Sequence, residues 1–138
     1  MSNTDLRAFA QQYFKYLDRR DLDGLDSALA PNVKFHGFGP QPLDRAGTRA
    51  TMTGFYTAFP DSRMPYEAII VDGDLVAIQH SFRGTHQAEF QGVPASGKPV
   101  VVHAIVMLKV QNGKVVEAWL NADILGLLTQ IGAIPMPA

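Results

Sequence analysis

The sequence predicts an α+β fold, in which helices are segregated from an antiparallel sheet. Three observations support this prediction. Apolar residues recur at helical spacing up to about residue 59, strand-like patterns follow from residue 64 onward, and two-residue turn sequences join strands into pairs. The predicted order is helix, helix, strand, helix and then four strands in a meander. No internal repeat and no linker interrupts it, so residues 1–138 are interpreted as a single domain.

Two helices are predicted at the start of the chain. Thr4 is the expected N-cap of the first, which ends near Arg19-Arg20, where basic side chains suit the negative end of the helix dipole. Its apolar stripe consists of Leu6, Phe9, Ala10, Tyr13, Phe14 and Leu17. Asp21 or Asp23 is expected to cap a short second helix, which Pro31 ends.

A short strand and a third helix come next. The strand is predicted over residues 32–37, and a loop rich in glycine and proline follows it. The helix is predicted over residues 44–59, and Pro60 ends it. Its apolar stripe, which indicates the side that packs inward, consists of Met52, Phe55, Tyr56 and Phe59.

The first predicted hairpin joins strands over residues 64–71 and 75–83. Asp72-Gly73 is its expected two-residue turn, because such sequences favour the turns that match strand twist. On the second strand, His80 follows Val76 and Ile78 in an apolar alternation, so its side chain is expected to enter the core or a cavity.

The second predicted hairpin joins strands over residues 99–110 and 115–122 at Asn112-Gly113. Residues 124–131 predict a last helical turn or two. The tail from Pro135 to Pro137 is predicted to be irregular.

The strand over residues 99–110 is apolar on both of its faces, which is typical of strands that are covered on both sides. Three helices can cover only one face of so long a sheet. A second copy of the chain is the commonest cover for the other face, so the sequence predicts a homodimer through the outer sheet face. The alternative is a monomer with a loosely covered face.

Composition excludes several classes of function. The hydrophobic fraction is 46%, and Lys+Arg at 12 against Asp+Glu at 13 leave no strongly basic face, so nucleic acid is not an expected partner. There is no cysteine, which excludes disulfides and thiolate metal sites and fits a reducing cytoplasm. No signal peptide and no run near the roughly 20 apolar residues of a membrane span is present, so no membrane partner is expected.

The four histidines carry the candidate chemistry, but none stands at metal-ligand spacing from another. Neither a metal nor a cofactor is therefore expected. His36 is a candidate hydrogen-bond donor or base at a pocket mouth, or else an exposed loop residue, and His80 is a candidate base or a hydrogen-bonded core residue. His86 is expected to face solvent or a rim. Asp123 is a candidate catalytic carboxylate or the cap of the last helix.

Motifs in the second half of the chain resemble those of the SnoaL-like polyketide cyclase and ester cyclase family. They are Gly84-Thr85-His86, the stretch from Glu89 to Lys98, and Trp119 followed by Asp123 and the leucine-rich residues 125–128. The resemblance runs from the first helix to about Gly132. It implies a curved antiparallel sheet wrapped around N-terminal helices, cone-shaped with one internal pocket and usually dimeric.

The resemblance also implies which residues bind a ligand. The side chains expected to line the pocket are Phe14, Met52, Phe55, Tyr56, Phe59, Ala104, Val106 and Leu120. In the polyketide cyclases, an aspartate on the last strand acts as acid/base, with a histidine and a glutamine on the preceding strand. Counted from the Asn112-Gly113 turn, those positions fall on Leu120, Val106 and Ala104, which are all apolar. A shift in register would instead bring Asp123 into the acid position.

Two functions follow from this reasoning. The first is a cyclase-, isomerase- or hydrolase-type enzyme for a hydrophobic polyketide-like or steroid-like molecule, in which His80, His36 or Asp123 supplies the acid/base group. The second is a non-catalytic protein that binds an apolar small molecule, or a structural dimeric domain. The apolar residues at all three family positions favour the second class, and fold alone does not decide between them.

Overall fold

The computed structural model describes residues 1–135 of the chain, so only Pro135 of the predicted irregular tail lies within it. Helices and strands follow the predicted order, and a short helix ends the fold. The elements are α1 (Asn3–Asp18), α2 (Leu22–Ala28), β1 (Leu29–His36), α3 (Arg45–Ala58), β2 (Tyr66–Asp72), β3 (Leu75–Thr85), β4 (Pro99–Gln111), β5 (Lys114–Ala122) and α4 (Ile124–Gln130). The predicted α+β class is confirmed.

The cap of α1 differs from the prediction. Ser2 is the N-cap instead of Thr4, because the Ser2 hydroxyl accepts the Asp5 N–H while the Asp5 carboxylate accepts the Ser2 N–H. This reciprocal pair satisfies two backbone N–H groups, those of Ser2 and Asp5, at the start of the helix. Asp21 caps α2, which confirms one of the two predicted alternatives.

Strand β1 starts three residues earlier than predicted. Leu29 is already extended, so α2 ends at Ala28 and Pro31 lies within β1 instead of ending the helix. The pairing of β1 is irregular between Leu29 and Lys34, and β1 is an edge strand. Proline is tolerated there because an edge or an irregular pairing leaves a missing N–H without consequence.

The five strands form one open sheet in the order β1-β5-β4-β3-β2. The meander from β2 to β5 is antiparallel, as predicted. The sheet as a whole is mixed, since β1, outside the predicted meander, pairs with β5 in parallel. The reason is that β1 reaches the sheet after a helix and not through a hairpin.

The two hairpin turns differ in how well the sequence predicted them. Gln111 pairs with Lys114, so Asn112-Gly113 forms the predicted two-residue turn, with φ values of 54° and 75° that match a type I′ turn. Asp72 pairs with Leu75, which moves the first turn by one residue, to positions 73 and 74.

The two faces of the sheet have different surroundings. Side chains that alternate along β3 and β4 on the inner face are buried with the helices in one hydrophobic core. On the outer face, Ile70 and Ile105 expose 68% and 53% of their surface. The apolar outer face is therefore uncovered in a single chain.

Candidate functional site

An apolar cavity lies between the inner face of the sheet and the helices, and its volume is about 70 Å³. Helix residues that line it include Tyr13, Phe14, Leu17, Met52 and Phe55. Sheet residues that line it include His80, Phe82, Val102, Ala104, Val106 and Leu120. Almost all of this surface is hydrocarbon or aromatic ring, so the cavity offers few groups that can hydrogen-bond to a ligand.

The half-buried lining residues mark the side of the cavity that meets solvent. They are Phe38, Phe55, Leu120, Ala122 and Ile124. Phe38 stacks on Phe35 with the ring centroids 5.2 Å apart, and lies 6.3 Å from Phe55. Drug-sized ligands occupy pockets of about 300–1,000 Å³. This cavity is smaller than that, so a ligand of such a size could enter only if these side chains moved.

His80 is the titratable imidazole of the lining, and it is only 5% exposed. It packs on Phe14 with the ring centroids 4.7 Å apart. Burial lowers the pKa of His80 below its ordinary value of 6.5, opposed weakly by the Ile78 carbonyl and by Glu67. Nδ1 lies 3.3 Å from the Ile78 carbonyl oxygen, which favours a proton on Nδ1 and a free lone pair on Nε2.

The three apolar residues of the resemblance lie together on the lining. Val106 pairs directly with Leu120, and Ala104 is the inward-facing residue of β4 that precedes Val106. His80 pairs with Ala104 on the neighbouring strand. A ligand in contact with these three side chains would therefore lie beside the imidazole.

Two helix residues expected on the lining lie outside it. The Tyr56 hydroxyl donates to the Leu17 carbonyl oxygen at 3.2 Å, which holds that side chain between α3 and α1. Phe59 is fully buried against Phe82, His86 and Phe90, behind the cavity. Both residues lie near the end of α3, and the helical stripe continues there into core that does not border the cavity.

His36 lies on the other side of the sheet from the cavity. Its Nε2 is 2.7 Å from a carboxylate oxygen of Glu117, and its ring stacks on Trp119 at 5.9 Å between centroids. β1 and β5 place these side chains next to each other because His36 pairs with Trp119 in register. The expected position at the pocket mouth is not found, and the cluster belongs to the outer face.

Asp123 caps α4, the second of its two predicted roles. Its carboxylate accepts the Gly126 N–H at 2.8 Å, and its own N–H donates to the His103 carbonyl oxygen. The Asp123 side chain is not part of the cavity lining. The register that the turn fixes is the one counted from Asn112-Gly113, so no shift brings Asp123 to the position of Leu120.

Two residues were misjudged or missed in the sequence. His86 is fully buried instead of solvent-facing, since residues 86–98 fold back and the Ser96 N–H donates to His86 Nδ1 at 3.1 Å. Tyr13 belongs to the predicted stripe of α1 but was not assigned to the site. It lines the cavity and is 3% exposed. The stripe was the available signal, because a tyrosine on an apolar stripe carries its hydroxyl inward.

Two further observations concern residues 1–135 as a whole. No group of three or more His, Cys, Asp or Glu side chains in this part of the chain is arranged to hold a metal ion. No helix in the same range has the length and apolar character needed to cross a bilayer.

The fold and the cavity define a class: small cone-shaped α+β domains in which helices close one face of a curved sheet. A family model described as SnoaL-like polyketide cyclase matches residues 7–131. The chain therefore belongs to the SnoaL-like polyketide cyclase family, which confirms the family resemblance. No curated protein matched the chain.

Solved structures agree with this assignment. AclR from Streptomyces galilaeus, described as a candidate hydroxylase, is 28% identical with a TM-score of 0.91, over 99% of this chain and 87% of that one. IdmH from Streptomyces antibioticus, described as a candidate polyketide cyclase, is 30% identical with a TM-score of 0.79, over 91% and 97%. A SnoaL-like structure from Jannaschia sp. CCS1 is 24% identical with a TM-score of 0.86, over 98% of both chains, and shares the fold.

Proposed function

We propose that the chain binds a hydrophobic small molecule in the cavity and that His80 is the acid/base group of a cyclase- or isomerase-type reaction on it. The observation that carries the proposal is a buried imidazole of lowered pKa in a cavity otherwise lined by hydrocarbon. A histidine that stays neutral near pH 7 can accept a proton at Nε2. Membership of a cyclase family supports the reaction class.

Such a reaction balances without an external oxidant or reductant. His80 Nε2 removes a proton from a carbon next to a ligand carbonyl, the C–H electron pair forms a C=C bond, and the carbonyl π pair moves onto oxygen. In an isomerisation of a β,γ-unsaturated ketone, the resulting dienolate takes the proton back from the imidazolium at its γ carbon, the C=C bond moves into conjugation and the carbonyl re-forms. In a cyclisation, the enolate carbon attacks a second carbonyl carbon, and the proton goes to the new alkoxide.

A second candidate is a protein of the same fold that binds its ligand without turnover, or a structural dimeric domain. We infer that Leu120, Val106 and Ala104 replace the acid/base residues of the family's cyclases, and this inference favours the second candidate. AclR is described as a candidate hydroxylase and IdmH as a candidate cyclase. Structures with this fold are therefore assigned different reactions, and the fold alone does not choose between the two candidates. Turnover measured beside ligand binding separates the two candidates.

The binding proposal predicts that filling the cavity abolishes ligand stabilisation. Ala104→Leu adds three carbons to the lining and should cost the free protein about 1–3 kcal/mol, as small-to-large substitutions inside a protein do. At about 100 times Kd, a neutral polycyclic ligand should stabilise the wild type by about 2.7 kcal/mol. Thermal unfolding with such ligands should show this shift in the wild type and not in Ala104→Leu.

Ala50→Leu is the matched control for that experiment, because Ala50 is an exposed residue of α3. It should keep the full ligand shift. Equal shifts in all three proteins would mean that the ligand binds elsewhere.

We also propose that two copies of the chain associate through their outer sheet faces. Ile70 and Ile105 are exposed there, and Met107 and Trp119 are only half-buried on the same face. A net charge of −1 gives little repulsion between identical copies, and closed twofold dimers are the commonest oligomers. The cytoplasm is our proposed location, in agreement with the lack of cysteine.

The dimer proposal predicts that Ile105→Lys yields monomers. An ammonium group buried in the interface on each copy would lose hydration without a partner, which is costly. Sedimentation velocity at micromolar concentration should give a dimer for the wild type and a monomer for Ile105→Lys. Leu125→Lys is the control, since Leu125 is 62% exposed on α4, and it should remain dimeric. A monomeric wild type would contradict the proposal.

A further inference from the structure

A second concave surface lies beside the cavity. It is an open groove of about 1000 Å³, with one wall formed by α1 and the two residues after it, and the other by residues 63–66, which lead into β2. Phe14 and Met64 line both the cavity and the groove, so these two side chains form a wall between the two spaces. The groove is therefore a separate site on the outer side of that wall.

The groove concentrates positive charge. Four cationic side chains line it, those of Lys15, Arg19, Arg20 and Arg63, and among residues 1–135 only Asp18 adds a carboxylate to this lining. The four cations and one carboxylate give the groove a formal charge of +3, whereas the whole chain carries −1. The carbonyl end of α1 contributes about half a negative charge, which is too little to cancel this excess. The groove therefore favours an anionic ligand.

Two of the guanidinium groups are held in place by the protein. Arg63 donates from Nε and Nη2 to the Asp18 carboxylate, at 3.0 and 2.7 Å. Arg20 donates from Nη1 to the Ser62 carbonyl oxygen. A guanidinium has five N–H donors, so both side chains keep donors for a further acceptor. Because they are already ordered, an anion that binds them loses little side-chain entropy.

The backbone of Arg20 also indicates that its side chain is needed there. Its φ is 55°, in the left-handed region, directly after the C-cap of α1, where glycine is the usual residue. A glycine would remove the backbone strain, but it would also remove the guanidinium from the groove.

Lys15 and Arg19 are the adaptable cations of the groove. Both are exposed, and within residues 1–135 neither side chain forms a hydrogen bond to protein or an ion pair. They can turn toward an anion without breaking a contact inside the protein.

The remaining lining fits an apolar or aromatic group attached to the anion. Tyr66 is 40% exposed and packs edge-on against Phe14, with the ring centroids 6.1 Å apart. Pro65 is exposed beside it. A phosphate monoester carries about −1.5 to −2 at pH 7, which matches a charge of +3 better than a single carboxylate does. Guanidinium groups also bind two phosphate oxygens at once.

We propose that this groove binds an organic phosphate, a small molecule in which a phosphate group is joined to an apolar or aromatic body. The phosphate lies among the cationic side chains of the two walls, and the body lies along Tyr66. The site goes beyond the proposed function, because it uses neither the cavity nor His80.

The test uses 1-naphthyl phosphate, and 1-naphthol is the probe that lacks the phosphate. In calorimetry with the full chain, Lys15→Gln and Arg19→Gln should each weaken binding of 1-naphthyl phosphate by roughly 5- to 10-fold, since each removes a charge-assisted hydrogen bond. Raising the salt from about 50 to about 200 mM should weaken binding to the wild type, because these cations are exposed. Any binding of 1-naphthol should be equal in all three proteins.

Lys98→Gln is the matched control, since Lys98 is an exposed lysine outside the groove lining. It should keep the wild-type affinity for 1-naphthyl phosphate, although it removes the same charge from the chain. An equal loss in Lys98→Gln and Lys15→Gln would reduce the effect to net charge and overturn the inference.

Ala104→Leu separates the groove from the cavity. It should bind 1-naphthyl phosphate as the wild type does, because the probe needs no space in the cavity. Loss of binding in Ala104→Leu would place the probe in the cavity and overturn the inference. A wild type that gives no heat of binding with 1-naphthyl phosphate at millimolar concentration would overturn it too, and would leave the cavity proposals unaffected.

Discussion

Gly37→Ala is expected to destabilise the protein by roughly 3 kcal/mol, because two penalties act at one residue. The φ of Gly37 is 117°, a conformation that residues with a side chain rarely adopt. A Cβ at this position would also stand 2.2 Å from the Leu120 carbonyl oxygen, a backbone atom within β5. Neither partner can move without disturbing the sheet, so urea unfolding should show the loss directly.

Gly39→Ala provides the control from the same loop, since nothing lies within 4 Å of a Cβ there. Its stability should stay within about 0.5 kcal/mol of the wild type. Equal effects of the two substitutions would mean that the close approach of Gly37 to β5 does not limit stability. The close approach of Gly37 to β5 also affects the cavity, because it places Phe38 beside Phe35 and Phe55 at the solvent side of the cavity.

His80→Phe is expected to lower kcat/KM by at least about 100-fold on any substrate that the wild type turns over, since it removes the proposed proton acceptor. Phenylalanine preserves the ring that packs on Phe14, so the cavity should stay closed and ligand binding should persist. His103→Phe is the control, because His103 is exposed on the outer face. Undiminished turnover in His80→Phe would remove this residue from the mechanism.

The same variant should change how stability depends on pH. Because burial lowers the pKa of His80, the unfolded chain takes up a proton below its ordinary pKa of 6.5 while the folded chain does not. The wild type therefore loses stability from this group as the pH falls through 6.5 toward the folded pKa. His80→Phe lacks this contribution, so unfolding at pH 7.5 and at pH 5 should show a smaller loss in the variant.

Periodicity in the sequence predicted the elements well because each one buries a single face. The inward alternation of β3 and the stripe of α1 are examples. It could not predict how far along an element the cavity extends. Met52 and Phe55 of α3 line it, while Phe59, which continues the same stripe just past the end of α3, packs behind it. That difference depends on which strands the helix crosses.

Hydrogen-bond partners were also beyond the sequence pattern. Tyr13 and Tyr56 have the same side chain on apolar stripes, yet only Tyr56 meets a carbonyl oxygen, that of Leu17 on another helix. His86 was expected in solvent because its neighbours are turn residues, but Ser96 and Phe59 enclose it. Contacts between distant segments decide each case, and no local signal reports them.

The parallel pairing of β1 with β5 has a consequence for how the protein folds. Leu29 and Val115 are partners, although they belong to opposite ends of the chain. Pairing of this kind requires closure of a long loop, which slows folding. During synthesis, β1 would leave the ribosome long before β5. The backbone N–H and C=O groups of β1 that pair with β5 would lack these partners until β5 emerged. Chains truncated before residue 114 should therefore expose this segment to proteases and chaperones.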